Sequence, residues 1–153
     1  MTASSFVKKH ASLLSTSVFV VLLLAAAGLA LSDSLLGNGP LTIGLQIAAI
    51  ALMIWARVTF GMRSFHYAAN PTGGGLVTTG PYRFVRHPIY AAILLFVWTG
   101  IGANWSLRAA ALGLVATIMT ILRMHFEEAL VVERYPDYED YARRTRRVIP
   151  YLL

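Results

Sequence analysis

LVTTGPYRFVRHPIY, residues 76–90, is a polar, proline-punctuated stretch set between apolar runs long enough to cross a bilayer. A plain loop between membrane helices has no need of two prolines, two arginines, a histidine and two tyrosines within residues 80–90. Such a density of hydrogen-bonding and aromatic groups points to binding or chemistry at the membrane surface. Just upstream, Gly73-Gly74-Gly75 lets the backbone approach a bound molecule closely, because no Cβ stands in the way. These glycines have neither the GxGxxG nor the GxxxxGK(S/T) spacing, so no dinucleotide or P-loop fingerprint is present. His87-Pro88 reads as a helix start: proline is tolerated at the first helical position and pushes the preceding residue out of helical geometry. His87 then lies at the cap with Tyr90 three residues on, and the free N–H groups of a first turn can meet an anionic group.

Outward from this stretch the chain is apolar. Hydrophobic residues make up 57% of its 153 residues and charged ones 13%, against roughly 45–50% and about 25% in soluble domains. A single domain of this size cannot hide that much apolar surface, so lipid must cover part of it. Residues 13–31 form a charge-free run, followed by the turn string Gly37-Asn38-Gly39-Pro40 and a second run over 41–60. Residues 88–103 and 105–124 make two more, turning near Gly102-Ala103-Asn104. The expected architecture is an all-α integral membrane protein: four transmembrane helices as two hairpins in one domain, 1–153. The middle loop and a C-terminal cytoplasmic segment, 125–153, would form the cofactor site. Lys8 and Lys9 before the first run imitate a signal peptide, but the run exceeds the usual ~7–15 residues, which favours a retained helix. Small residues (Ala91, Ala92, Ala109, Ala110, Ala111, Gly113, Ala116) would let the later helices pack closely.

Charge supports this topology. With four spans, twelve of the 13 Lys and Arg residues fall on one side and Arg108 alone on the other. Positive residues stay cytoplasmic, so both termini and the middle loop are expected there, in a bacterial inner membrane or one like the endoplasmic reticulum. The net charge of +6 suits an anionic membrane face. No basic recognition helix or aromatic-basic single-strand platform accompanies it, so nucleic acid is not the expected partner. Zero cysteines exclude disulfides and thiolate chemistry.

A second constellation, Arg123-Met124-His125-Phe126-Glu127-Glu128, ends the last apolar run. Arg123 and Glu127 stand at i, i+4 on one helix stripe. Glu127 can accept from ribose hydroxyls or an amine, and Arg123 can clamp a carboxylate or phosphate through its fork of donors. They can equally pair with each other. No HExxH or paired Glu-x-x-His motif occurs, so no metal site is expected. Tyr135-Pro136-Asp137-Tyr138 breaks the helix, Tyr138 and Tyr141 sit at i, i+3 on a short charged one, and the arginine run 143–147 reads as a solvated face or a headgroup contact.

Residues 76–90, the apolar hairpin after them, Glu127-Glu128, Tyr138-x-x-Tyr141 and Ile149-Pro150 follow in order and near-family spacing. The chain thereby resembles the isoprenylcysteine carboxyl methyltransferase family, within a wider group that includes phospholipid N-methyltransferases. It departs at Tyr135-Pro136-Asp137-Tyr138, where relatives have a Phe-Gly-x-x-Tyr string one residue longer, and in its shortness. The resemblance implies S-adenosylmethionine as cofactor, bound on the cytosolic side without a Rossmann domain. It implies that Gly74, Gly75, Leu76 and Val77 cradle the cofactor through backbone, and that Tyr82, His87, Pro88 and Tyr90 line its pocket. Glu127 would hold one of its polar groups, and Arg123 would pair with the carboxylate of a lipophilic methyl acceptor, such as a prenylated cysteine, entering from the bilayer. An amine, thiol or phospholipid acceptor would instead want a base, for which His87 is nearest. Two other classes compete. Membrane sterol reductases share a similar C-terminal region and use NADPH, but they are larger, and nothing here clearly recognises a 2′-phosphate. A non-catalytic membrane scaffold would need neither Arg-His-Pro-x-Tyr nor the Glu pair.

Overall fold

Glycine and proline punctuate the chain where its helices change direction. The computed structural model describes residues 3–61 and 75–149, with side chains from residue 16 onward. Among them lie α1 (Ala3–Leu31), α2 (Pro40–Phe60), α3 (Pro88–Ala103), α4 (Leu107–Arg134) and α5 (Tyr138–Arg144), with a 3₁₀ turn at Gly80–Arg83 before α3 and no β-strand. Proline opens α2 and α3 at the first helical position, and the Ser106 hydroxyl caps α4 by accepting from the Ala109 N–H at 3.1 Å.

The second and third apolar runs match α2 and α3 to within a residue. The other two helices extend past their apolar runs: α1 begins at Ala3, ahead of residue 13, and α4 runs through Arg123 and Glu127 to Arg134, stopping before Tyr135-Pro136, where a helix break is expected. Nothing between 125 and 134 breaks a helix; Pro136 is the first residue that does. The first ten residues of the expected C-terminal segment are therefore a continuation of α4. At about 1.5 Å per residue its 28 residues reach ~42 Å, beyond the ~30 Å hydrocarbon layer. Its last turns, with Glu127 and Glu128, follow the last apolar run in the sequence.

α2 and α4 are long and apolar enough to cross a membrane, while α3 and the Thr16–Leu31 part of α1 are apolar but shorter. Their outer faces carry Leu41, Ile47, Ile54, Trp55, Leu114 and Ile118, all exposed, a surface suited to hydrocarbon. Packing does not follow the expected hairpins. α1 lies chiefly along α4 and α2 along α3, with a smaller α3–α4 contact. Small residues of α4 lie in its contacts with α1 and α3. Ala116 of α4 meets Leu22 and Ala25 of α1, and Ala109 joins Leu29, Val97 and Ile101. Of the small residues singled out, Ala92, Ala109, Ala110, Gly113 and Ala116 are buried, whereas Ala111 is exposed and Ala91 only half-buried.

Polar clasps tie the layers at the end where α1 turns into α2. Gln46, buried on α2, accepts from the Gly37 N–H at 3.2 Å and donates to the carbonyls of Leu35 at 2.8 Å and Phe96 at 3.3 Å. At Gly100 of α3 a Cβ would lie 2.1 Å from the Leu35 carbonyl oxygen, so only glycine permits that approach.

Candidate functional site

The motif before α3 is folded against the end of α2. Gly80 takes φ +57°, and a side chain there would collide with Thr59. That close approach seats Pro81 and Tyr82 in buried positions, with the Tyr82 ring 5.5 Å from that of Phe60. His87 caps α3 at φ −125°, ψ 60°, outside helical geometry as a residue before proline should be. The chain end then returns to this motif. Arg86 and His87 donate backbone N–H groups to the carbonyls of Arg146 (2.7 Å) and Arg147 (2.9 Å), and Val85 and Arg146 form a parallel bridge. The Tyr141 hydroxyl donates to the Tyr82 carbonyl at 2.7 Å.

Glu128 is the pin of this assembly, its side chain only 12% exposed. Its Oε1 accepts from Arg86 Nε at 3.0 Å and contacts His87 Nε2 at 3.1 Å; its Oε2 accepts from Arg147 Nε at 3.1 Å and Nη2 at 2.9 Å. Arg86 also donates through Nη1 to the carbonyls of Ala142 (2.8 Å) and Thr145 (2.6 Å), satisfying the C-terminal end of α5. Burial alone would raise the Glu128 pKa, but the hydrogen bonds from His87, Arg147 and Arg86 outweigh it and hold the carboxyl well below its ordinary range. Burial pushes the Tyr141 hydroxyl up to about 12, and burial with the Glu128 charge pushes Tyr138 up as well.

Glu127, next in sequence, has different company. Its Oε1 accepts from the Tyr90 hydroxyl at 2.6 Å and from Arg123 Nε at 3.1 Å, and the same Arg123 Nε–H lies 2.6 Å from the Tyr90 oxygen. Arg123 is 5% exposed, and its guanidinium sits 5.0 Å over the Phe19 ring of α1. Glu127 remains 25% exposed, with Oε2 3.9 Å from His87 Nδ1.

The structure thus brings together His87, Pro88, Tyr90, Arg123 and Glu127, with Tyr82 buried behind them. Leu76 and Val77 are half-buried, non-helical chain leading to the motif, and Gly75 takes φ +84°. Gly74 lies outside the described residues. Arg123 and Glu127 do pair with each other, with Arg123 buried, Glu127 part-exposed and Tyr90 as the third member. His125 is exposed and, among the described residues, its ring meets the Ile121 carbonyl of its own helix at 2.8 Å. Among the described residues no three His, Asp or Glu side chains gather where a metal ion could be held. Sequence reasoning missed Arg86 and Arg147 as partners of Glu128. Arg86 stood in the motif beside His87 and could have been found there; Arg147 is hidden in an arginine run whose Arg143, Arg144 and Arg146 are indeed exposed.

A phospholipid methyltransferase family model matches residues 35–138, which contain the motif, Arg123 and both glutamates. The chain is 35% identical over 88 residues to the nickel-cobalt-cadmium resistance protein NccN of Alcaligenes xylosoxydans xylosoxydans, covering 56% of this chain and 41% of that protein. It is 30% identical over 115 residues to the cobalt-zinc-cadmium resistance protein CzcN of Cupriavidus metallidurans, covering 74% of this chain and 51% of that one. The matches therefore span about half the length of these relatives or less. No solved structure matches. A membrane helix bundle, a motif folded at its polar end and a family match over most of the chain agree: the chain belongs to the phospholipid methyltransferase family, part of the isoprenylcysteine carboxyl methyltransferase-like group.

Proposed function

We propose that this protein transfers a methyl group from S-adenosylmethionine to a lipophilic acceptor at the cytoplasmic face of a membrane. The observation that carries the reading is the Tyr90–Arg123–Glu127 cluster, held where the apolar run of α4 ends. The residues fit the cofactor's chemistry. An ionised carboxylate offers about four acceptor positions, and Glu127 spends two of them, both at Oε1, on Tyr90 and Arg123. Oε2, on a part-exposed side chain, remains suited to a ribose hydroxyl or an ammonium group. Tyr82, His87, Pro88 and Tyr90 would line the same pocket, and the backbone at Gly74, Gly75, Leu76 and Val77 would cradle the cofactor.

When bound, S-adenosylmethionine supplies a methyl group already activated by sulfonium charge. The chain's task is therefore to hold the acceptor in line and exclude water. The bundle offers an apolar approach for a lipid-like acceptor, and the strap of residues 145–147 covers the polar end. Two acceptor classes divide on Arg123. A prenylated-cysteine carboxylate, or a similar lipophilic acid, would pair with its guanidinium. The Glu127 contact uses Nε at 3.1 Å, one of the guanidinium's five N–H donors. Methyl transfer to a farnesyl-cysteine analogue, an aminolipid and an alkyl thiol separates the two classes.

Binding is tested by calorimetry of the detergent-purified protein with S-adenosylmethionine, S-adenosylhomocysteine and NADPH. The first two should bind. Glu127→Gln should weaken them about 10- to 150-fold, the worth of one charge-assisted hydrogen bond at about 1.5–3 kcal/mol. Unchanged affinity in a folded Glu127→Gln protein would return Glu127 to a purely structural pair, and binding of NADPH alone would replace the methyltransferase reading with a reductase.

The accompanying topology is four spans with both ends cytoplasmic. Reporter fusions after Leu31, Asn70, Asn104 and Leu153 should read out, in, out, in. A periplasmic or lumenal signal at Asn70 would sink that model.

A further inference from the structure

His87 stands between the two glutamates, and its ring nitrogens face different ones. Nε2 lies 3.1 Å from Glu128 Oε1, and Nδ1 lies 3.9 Å from Glu127 Oε2. Glu128, ringed by Arg86 and Arg147, is an ionised carboxylate and so accepts hydrogen bonds without donating any. A hydrogen bond between that oxygen and Nε2 requires the hydrogen on nitrogen. The tautomer follows from the contact: the neutral ring carries Nε2–H, and the Nδ1 lone pair faces the Glu127 side.

We propose that Glu128 is a positioning residue for methyl transfer, fixing His87 as the Nε2–H tautomer so that Nδ1 takes the proton an acceptor gives up. This rests on the methyltransferase reading above and extends it to acceptors that carry a proton, amines and thiols among them. The acceptor's electron pair forms the new bond to the methyl carbon while the carbon–sulfur bond breaks and sulfur keeps its pair. The acceptor's proton passes to Nδ1 and then to water, restoring the neutral ring.

The surroundings hold the dyad rigid. Glu128 cannot swing away without abandoning both arginines, and Arg86 is itself fastened to the carbonyls of Ala142 and Thr145. The His87 backbone is fixed by Pro88 after it and by its N–H bond to the Arg147 carbonyl at 2.9 Å, and its ring lies 5.6 Å from that of Tyr90. A carboxylate that orients an imidazole through one nitrogen and leaves the other to act is a general arrangement of acid–base and metal sites.

Nitrogen NMR of the ligand-free protein, labelled with ¹⁵N at its four histidines, tests the tautomer directly. His87 is assigned by the signals lost in His87→Asn. At pH 7.5 the wild type should show a protonated-type shift at Nε2 and a lone-pair-type shift at Nδ1. Glu128→Gln, whose amide both donates and accepts, should lose that bias. Arg147→Gln, which keeps the carboxylate, should retain it, and Glu128→Asp should keep part of it. In methyl transfer to an aminolipid or alkyl thiol, Glu128→Gln should lower kcat by about 10²- to 10⁴-fold, the usual range for a general base. Glu128→Asp should recover part of the rate. An Nδ1–H ring or a doubly protonated ring in the wild type overturns the proposal, as does an unchanged tautomer in folded Glu128→Gln. Failure of the wild type to bind S-adenosylmethionine in calorimetry would overturn the methyltransferase reading separately, leaving the NMR result to decide the tautomer.

Discussion

From Ala109 to Ala116, α4 meets its neighbours through small apolar residues; from Arg123 to Glu128 the same helix meets them through charge. The first half is held by many weak, non-directional contacts, spread over two apolar clusters with α1 and α3. The second is held by a few strong, directional ones, each depending on a named partner. Where packing is distributed, losing one methyl group leaves the rest in place. Where a buried carboxylate relies on two arginines, removing one strands a charge. The two halves should therefore differ in how steeply stability responds to a single substitution.

Arg86→Met should give the largest loss. It keeps most of the side-chain volume but removes the guanidinium that links Glu128 to the last turn of α5. Breaking one partner of a buried ion pair costs about 3–5 kcal/mol, to be read as reduced stability in detergent unfolding. A loss below about 1 kcal/mol would show that Arg147 and His87 hold Glu128 unaided, and that the chain end is not bolted through Arg86. The pH dependence carries the same contrast. The folded state holds the Glu128 carboxyl below its ordinary range, so its contribution is fully present above about pH 4.3, the unfolded value. It is lost as pH falls through the depressed value, because protonation favours the unfolded chain. Wild-type stability should fall on acidification from pH 5 towards 3, and Glu128→Gln should flatten part of that slope.

The contrast also explains what could be read from the sequence. Apolar runs and their proline and glycine punctuation placed α2 and α3, because apolarity and helix ends coincide there. They did not mark the start of α1, which lies ahead of its apolar run; the end of α4 was marked instead by Tyr135-Pro136, because a helix continues through polar residues until something breaks it. The pairing of α1 with α4 and α2 with α3 was not legible: small residues recur on several faces, and which face meets which neighbour is settled only in three dimensions. Residues 76–90 and the Arg123–Glu128 stretch stood out as candidate segments because their polar density has no role inside an apolar bundle, and the fold brings the two together. The division of labour between Glu127 and Glu128 was not. Adjacent residues on a helix point about 100° apart, so neighbours in sequence face different partners.

In the apolar half, Gly100→Ala should produce an intermediate effect. Its new Cβ would fall 2.1 Å from the Leu35 carbonyl oxygen, which is backbone and cannot rotate away. Forcing α3 off the α1–α2 turn should cost about 1–3 kcal/mol, the usual range for overpacking. Gly102→Ala, two residues on along the same helix, meets nothing within 4 Å and supplies the internal control. It should be neutral or stabilising by up to ~1 kcal/mol, since alanine loses less conformational freedom in a helix. Equal losses at the two positions would mean that the close approach at Gly100 does not set the packing of α3.

The smallest effect belongs to Arg143, and it shows that charge alone does not make a residue of this end important. Arg143 faces Asp140 at 3.2 Å and Glu139 at 4.0 Å on one turn of α5, with its own side chain 72% exposed. Water competes for every one of these groups, so Arg143→Ala should change stability by no more than about 0.5 kcal/mol. Arg147, four residues on and 40% exposed, makes two bonds to the buried Glu128. Arg147→Ala should cost more, about 1–3 kcal/mol, because Glu128 would keep its burial and lose a charged partner. The two substitutions remove the same charge from the same arginine run, so their difference isolates burial of the partner as the cause. Raising salt should weaken the Arg143 contribution and leave most of the Arg147 contribution in place, since screening acts mainly on exposed pairs. Equal effects at the two arginines would mean that the chain end is attached by general attraction to an acidic surface rather than by the Glu128 pin.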